Sequence, residues 1–251
     1  MVSVCEPEGY AMGDPGRLQP LEAAERFVAE HFPDCDGAVL GGSVLRGEAT
    51  DTSDLDIVIF DDRLPSAYRE SMVEFGWPIE VFVHNLTSYR GFFESDRQRA
   101  RPALARMVSE GVVLKDAGAV EAVRQEARDL LDNGPEPWSD ETLQMSRYYL
   151  TDALDDFIGC DDRAEGIFIA GALAEAAHEF VLRANGQWVG ASKWILRALK
   201  HYDEGFAEEY AEAFDHYYRC GNKEPVVELV DRVLQPHGGR LFDGFKQQAK
   251  M

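Results

Sequence analysis

The chain has 251 residues, of which 45% are hydrophobic and 28% charged, enough to bury one large core or two small ones. Its formal net charge of −21 argues against a nucleic-acid binder, since such proteins neutralise phosphates with clustered Lys and Arg. The same charge keeps the protein soluble and attracts cations, which favours a small polycationic partner. No apolar run approaches the roughly 20 residues that span a bilayer. The start, Met1-Val2-Ser3-Val4-Cys5-Glu6, lacks the basic and apolar regions of a signal peptide. Cys5, Cys35, Cys160 and Cys220 are scattered without a CxxC pair, as expected of reduced thiols in the cytoplasm.

In chain order, Leu21, Ala24, Phe27 and Val28 recur at helical spacing, and Pro20 suits a first helical turn, so a helix is predicted over Pro20–His31. Gly37–Leu40 reads as a short strand ending at Gly41-Gly42, with Ser43 opening a helix. Asp54–Phe60 reads as a second strand, broken by Asp61-Asp62 and Pro65. Ser66–Phe75 is expected to be a helix closed by Gly76 and Pro78, and Ile79–Val83 a third strand. Helices are expected around Thr87–Asp96 and Pro102–Glu110, a short strand at Val112–Leu114, and a helix over Val120–Leu131 capped by Asn133-Gly134.

Gly134-Pro135-Glu136-Pro137 is the best linker, which sets an α/β (α+β) domain over residues 1–134 and an all-helical domain over 135–251. Ser139 N-caps the first helix of the second part, with Asp140 and Glu141 in its first turn. Leu143, Leu150, Leu154 and Phe157 form its buried stripe. Further helices are expected over Glu165–Ala184, Ser192–His201, Phe206–Arg219 and Pro225–Leu234.

The chemistry concentrates between Gly41 and Val83. Two glycines after a strand let the backbone approach a phosphate closely, and Ser43 offers a hydroxyl and N–H groups there. Asp54 and Asp56 are two residues apart on a strand, so both carboxylates leave the same face. Oxygen ligands of that kind suit Mg²⁺, which also shares phosphate oxygens. Glu80 stands alone in the apolar run Ile79–Val83, a costly place for a charge without a cation nearby. If its strand lies beside that of Asp56, the three acids form a triad that binds metal or supplies a general base.

Gly42-Ser43, Asp54/Asp56 and Glu80 together resemble the nucleotidyltransferase superfamily typified by DNA polymerase beta. Glu80 departs from the family's more frequent Asp. The resemblance covers residues 37–84 and implies a small mixed sheet with flanking helices. It implies two Mg²⁺ ions on Asp54, Asp56 and Glu80, attack of a hydroxyl on the α-phosphate of ATP or another NTP, and pyrophosphate release. The α/β domain followed by a helical bundle is similar in plan to the antibiotic nucleotidyltransferases that adenylylate aminoglycosides. That likeness implies a triphosphate contact from a helical-domain lysine, for which Lys193 is the candidate, with Arg46 as a second phosphate ligand. It implies a small, cationic hydroxyl acceptor.

Asp152 lies one helical turn from Asp155 and Asp156, a like-charge cluster that calls for a cation. Some relatives take their base from the helical domain, so Asp152 competes with Glu80 for that role. Two other readings stay open, a protein-modifying nucleotidyltransferase of a toxin–antitoxin type and a non-catalytic nucleotide-binding regulator. The histidines show no H-E-x-x-H spacing, and the oligomeric state is not encoded in any motif.

Overall fold

The computed structural model describes residues 17–47 and 50–247, so Cys5 and Glu48 lie outside the described residues. The chain divides into two compact units, one of residues 1–95 and 103–132 and one of 96–102 and 133–251. Among the described residues, no helix is long and apolar enough to cross a membrane, and Cys35, Cys160 and Cys220 form no disulfide.

Among the described residues, the first unit is built on five strands, β1 (Gly37–Gly41), β2 (Leu55–Phe60), β3 (Tyr68–Glu74), β4 (Trp77–His84) and β5 (Val112–Asp116). They lie in the order β3-β4-β2-β1-β5. Only the β2–β4 pair is parallel, so the sheet is mixed. Helix α1 (Pro20–His31) covers one face, packing Ala23, Ala24, Phe27 and Val28 with Leu40, Leu55, Ile57, Ile59, Ile79, Val81 and Val83. The opposite face carries the alternate residues Val39, Val58 and Phe60. They pack with Tyr89 and Phe93 of α2 (Ser88–Arg99), Leu104, Ala105 and Val108 of α3 (Ala103–Glu110), and Val120, Val123 and Ala127 of α4 (Val120–Asn133). Both faces are buried, which explains why β2 and β4 read as nearly continuous apolar runs.

Residues Ser66–Phe75 do not form the expected helix. Tyr68–Glu74 is the edge strand β3, paired antiparallel with β4 from Tyr68↔Val83 to Glu74↔Trp77. The reason is the two-residue connection Phe75-Gly76, in which both residues take positive φ, 52° and 78°, the twist that a tight hairpin requires. The turn is clamped from outside. Leu18 N–H donates to the Phe75 carbonyl at 3.1 Å and Trp77 Nε1 to the Leu18 carbonyl at 2.8 Å. Arg17 lies 3.4 Å above the Trp77 ring. A Cβ on Gly76 would meet Arg17 Cα at 2.7 Å, so glycine is required there by space as well as by dihedral angle.

The second unit is helical: α5 (Asp140–Gly159), α6 (Arg163–Ala184), α7 (Trp194–Tyr202), α8 (Glu204–Cys220) and α9 (Glu224–Leu234). Ser139, Asp162 and Asp203 cap α5, α6 and α8 by accepting hydrogen bonds from backbone N–H groups of the first turns, satisfying donors that would otherwise be orphaned. Leu150, Leu154 and Phe157 of α5 meet Leu173, Ala177 and Phe180 of α6, Phe214 and Tyr217 of α8, and Leu229, Val230 and Leu234 of α9. Leu143, expected in the stripe, is only partly buried. His178 is a core residue, its Nε2 3.1 Å from the Gly190 carbonyl.

Candidate active site

The strand register places one row of residues across four strands: Gly41 faces Asp56, Asp56 faces Glu80, and Glu80 faces Ser71. Residues paired in this way send side chains to the same face of the sheet. The row lies on the face packed by α2, α3 and α4, beyond the apolar positions Val58 and Phe82. Asp54 stands immediately before β2, and oxygens of Asp54, Asp56 and Glu80 all lie within 4.8 Å of one another. All three residues are half-buried. Each pair of charges at such a distance repels by about 1–4 kcal/mol, depending on how much water screens it. The cluster therefore gains from any cation that enters.

Gly42 follows β1 with φ of 86°, a region costly for residues with a Cβ. A Cβ there would stand 2.5 Å from Asp56 Oδ2. The glycine thus keeps the space above the carboxylate clear. Ser43, buried, donates its hydroxyl to Ser53 Oγ at 3.5 Å, and Ser53 Oγ accepts the Thr50 N–H at 2.8 Å. The helix expected from Ser43 is a single 3₁₀ turn, Ser43–Arg46, ended by Gly47 at φ 69°. So short a turn carries little dipole, and any phosphate contact rests on the Ser43 hydroxyl and local N–H groups instead.

Arg46 closes that turn with Nη1 3.7 Å from Glu110 Oε2 of α3. Beside it, burial lowers the pKa of Arg106, Glu110 opposes that shift, and the Arg46 charge adds to it. Lys193 and Asp152 belong to the second unit. Lys193 is exposed and precedes α7, after Ser192 at φ 51°, so the helix starts two residues later than expected. Asp152 is exposed on α5. The cation called for by its neighbours is Arg240, whose Nη1 lies 3.2 Å from Asp155 and which also grips Asp231 with two hydrogen bonds of 2.7 and 2.8 Å.

Two residues at the site escaped the sequence reading. Ser53 anchors Ser43, and its signal is the polar turn Thr50-Asp51-Thr52-Ser53, closed by Ser53 N–H to the Thr50 carbonyl at 3.0 Å. Arg69 of β3 donates to Glu80 Oε2 through Nη2. That pairing raises its pKa above the ordinary arginine value, against a smaller opposing effect of burial, and the charges of Glu80, Asp56 and Asp54 add to the rise. Arg69 was hidden because its segment was expected to be helical.

Three convergent carboxylates are hard oxygen donors, the set that suits Mg²⁺ or Mn²⁺. Residues 21–99, from α1 to the end of α2, match the family model for the nucleotidyltransferase domain. The matched span contains Gly42, Ser43, Asp54, Asp56, Arg69 and Glu80. No curated protein matches the chain. Among solved structures, the chain is similar to a nucleotidyltransferase-like protein from Exiguobacterium sibiricum 255-15. The identity is 10%, 86% of this chain and 74% of that chain are covered, and the TM-score is 0.44. The family match over residues 21–99, and not this structural likeness, supports an enzyme of nucleotidyl transfer.

Proposed function

We propose that the protein is a cytoplasmic, Mg²⁺-dependent nucleotidyltransferase that moves an NMP, AMP from ATP in the first instance, to a hydroxyl of a small cationic acceptor such as an aminoglycoside. The observation that carries the reading is the approach of Asp54, Asp56 and Glu80 to within 4.8 Å beside a glycine whose Cβ would strike Asp56. Asp54, Asp56 and Glu80 would hold the divalent ions. When bound, Mg²⁺ neutralises phosphate charge and stabilises the attacking and leaving oxygens.

The chain's own groups do the rest. Gly42 leaves room for a phosphate oxygen, and the Ser43 hydroxyl, turning its proton away from Ser53, donates to it. Arg46, and Lys193 from the helical half, are the proposed cations for the triphosphate. A carboxylate, Glu80 or Asp152, accepts the acceptor hydroxyl proton as the new O–P bond forms. The bond from the α-phosphorus to the bridging oxygen breaks, and pyrophosphate leaves with the electron pair. The net charge of −21 favours a cationic acceptor over a polyanion.

The test is incubation with Mg²⁺ and labelled NTPs, against an aminoglycoside panel and, separately, against cell extract. Label on a small molecule, with pyrophosphate released, supports the proposal. Label on protein alone replaces the acceptor, and ATP binding without pyrophosphate release replaces catalysis with regulation.

A further inference from the structure

We infer that Arg69 is a positioning residue that holds Glu80 in the cation-free site and yields it when a divalent ion enters. The inference rests on the proposal that Asp54, Asp56 and Glu80 bind metal. On the edge strand β3, Arg69 faces Phe82 and Ser71 faces Glu80, so Arg69 is the diagonal neighbour of Glu80. A long side chain spans that diagonal. The guanidinium lies 4.9 Å over the Phe82 ring, where the ring face attracts it, and its Nη2 donates to Glu80 Oε2. The arginine thus has a rest on one side and a carboxylate on the other. It brings one positive charge to the three carboxylates gathered there.

Electrostatics makes Arg69 a competitor of the metal. A cation on the Glu80 carboxylate draws off the charge that holds the guanidinium, and the two cations repel each other. The pair is also easily opened. The Arg69 side chain is 57% exposed and that of Glu80 27%, and ion pairs so wet are weak. Arg69 therefore keeps three mutually repelling carboxylates together before loading without locking the site against it. The freed guanidinium keeps its place on Phe82.

The experiment measures Mn²⁺ affinity without nucleotide, by electron paramagnetic resonance, for the full-length wild type, Arg69→Gln, Arg69→Lys and Asp56→Asn. A thermal melt of each confirms folding. Arg69→Gln should bind Mn²⁺ about 3- to 10-fold more tightly than wild type at low salt, a gap that narrows as added salt screens the charge. Arg69→Lys, which keeps the charge, should stay within about twofold of wild type. A merely structural arginine would lower the melting temperature and weaken binding in both variants. Equal or weaker binding by Arg69→Gln, with binding lost in Asp56→Asn, overturns the inference and leaves the metal site standing. A wild type that binds no Mn²⁺ overturns the metal site and the inference with it.

Discussion

The two units treat acidic residues in opposite ways. In the sheet unit, Asp56 and Glu80 are fixed by strand register to the same row and face, and their repulsion cannot be relieved by turning away into water. In the helical unit, Asp152, Asp155 and Asp156 are exposed on α5, and Arg240 ties Asp155 to Asp231 of α9. The first arrangement holds charge in a constrained, half-buried place, the setting in which a cation gains most. The second disperses charge over a wet surface, where pairing is worth little. Carboxylate count is similar in both clusters. Constraint separates a candidate site from a solvated face.

Substitutions in the two regions should therefore differ by orders of magnitude. The largest effect is expected of Asp56→Asn, which keeps the shape and removes one charge from the triad. Pyrophosphate release should fall by at least about 10³-fold, with the melting temperature held or raised because repulsion is relieved. Retained turnover would remove Asp56 from the metal site.

The opposite end of β4 offers a control within the same sheet. His84 is buried, with its Nδ1 unpartnered among the described residues and its ring 4.8 Å from that of Phe92. Burial pushes its pKa down to about 4. The unfolded chain binds a proton near pH 6.5 that the folded chain refuses until about pH 4, so stability is full above pH 6.5 and declines as pH falls through that window. The loss should approach about 3 kcal/mol, and denaturant titrations of wild type and His84→Phe from pH 7 to 4 should differ by that amount. Parallel curves for the two proteins would show that His84 is not held neutral.

Next in size is Gly42→Ala. The added methyl meets Asp56 Oδ2 and must take a positive φ, so the carboxylate shifts. Catalysis should drop about 100-fold, the scale of a misplacement near 1 Å, and backbone strain should cost about 1–3 kcal/mol in a chemical denaturation curve. The smallest effect belongs to Arg240→Ala. Loss of its links to Asp155 and Asp231 should cost about 1 kcal/mol or less in the same assay and leave Mn²⁺ affinity unchanged. A large change in that affinity would erase the contrast between the two acidic clusters.

What the sequence revealed follows the same division. The spacing of Asp54 and Asp56, and the isolation of Glu80 among apolar neighbours, announced the acidic cluster because strand geometry fixes the face that Asp56 and Glu80 take, with Asp54 just before β2. The capping residue Ser139 and the apolar spacing of Leu150, Leu154 and Phe157 likewise announced α5, whereas the cap Asp162 places the start of α6 two residues before the expected Glu165. The strand β3 was illegible for two reasons. An edge strand wet on one side packs only Met72 well, so its alternation is faint. Its turn also uses Phe75 at positive φ, where Asn or Gly is the usual signal. Arg69 was lost with that strand. Glycine-serine after a strand signals a turn without specifying the length that follows, so a helix is expected where only the 3₁₀ turn Ser43–Arg46 forms. Ser192 at φ 51° similarly shifted the expected start of α7.

The central claim is that Asp54, Asp56 and Glu80 form one cation site serving a nucleotide. Anomalous diffraction from crystals grown with Mn²⁺ and a non-hydrolysable ATP analogue tests it most directly. Manganese peaks should appear bonded to Asp54 and Asp56, with the Glu80 carboxylate free of Arg69 and a phosphate oxygen against Ser43. Manganese absent from these carboxylates while the analogue is bound would contradict the claim.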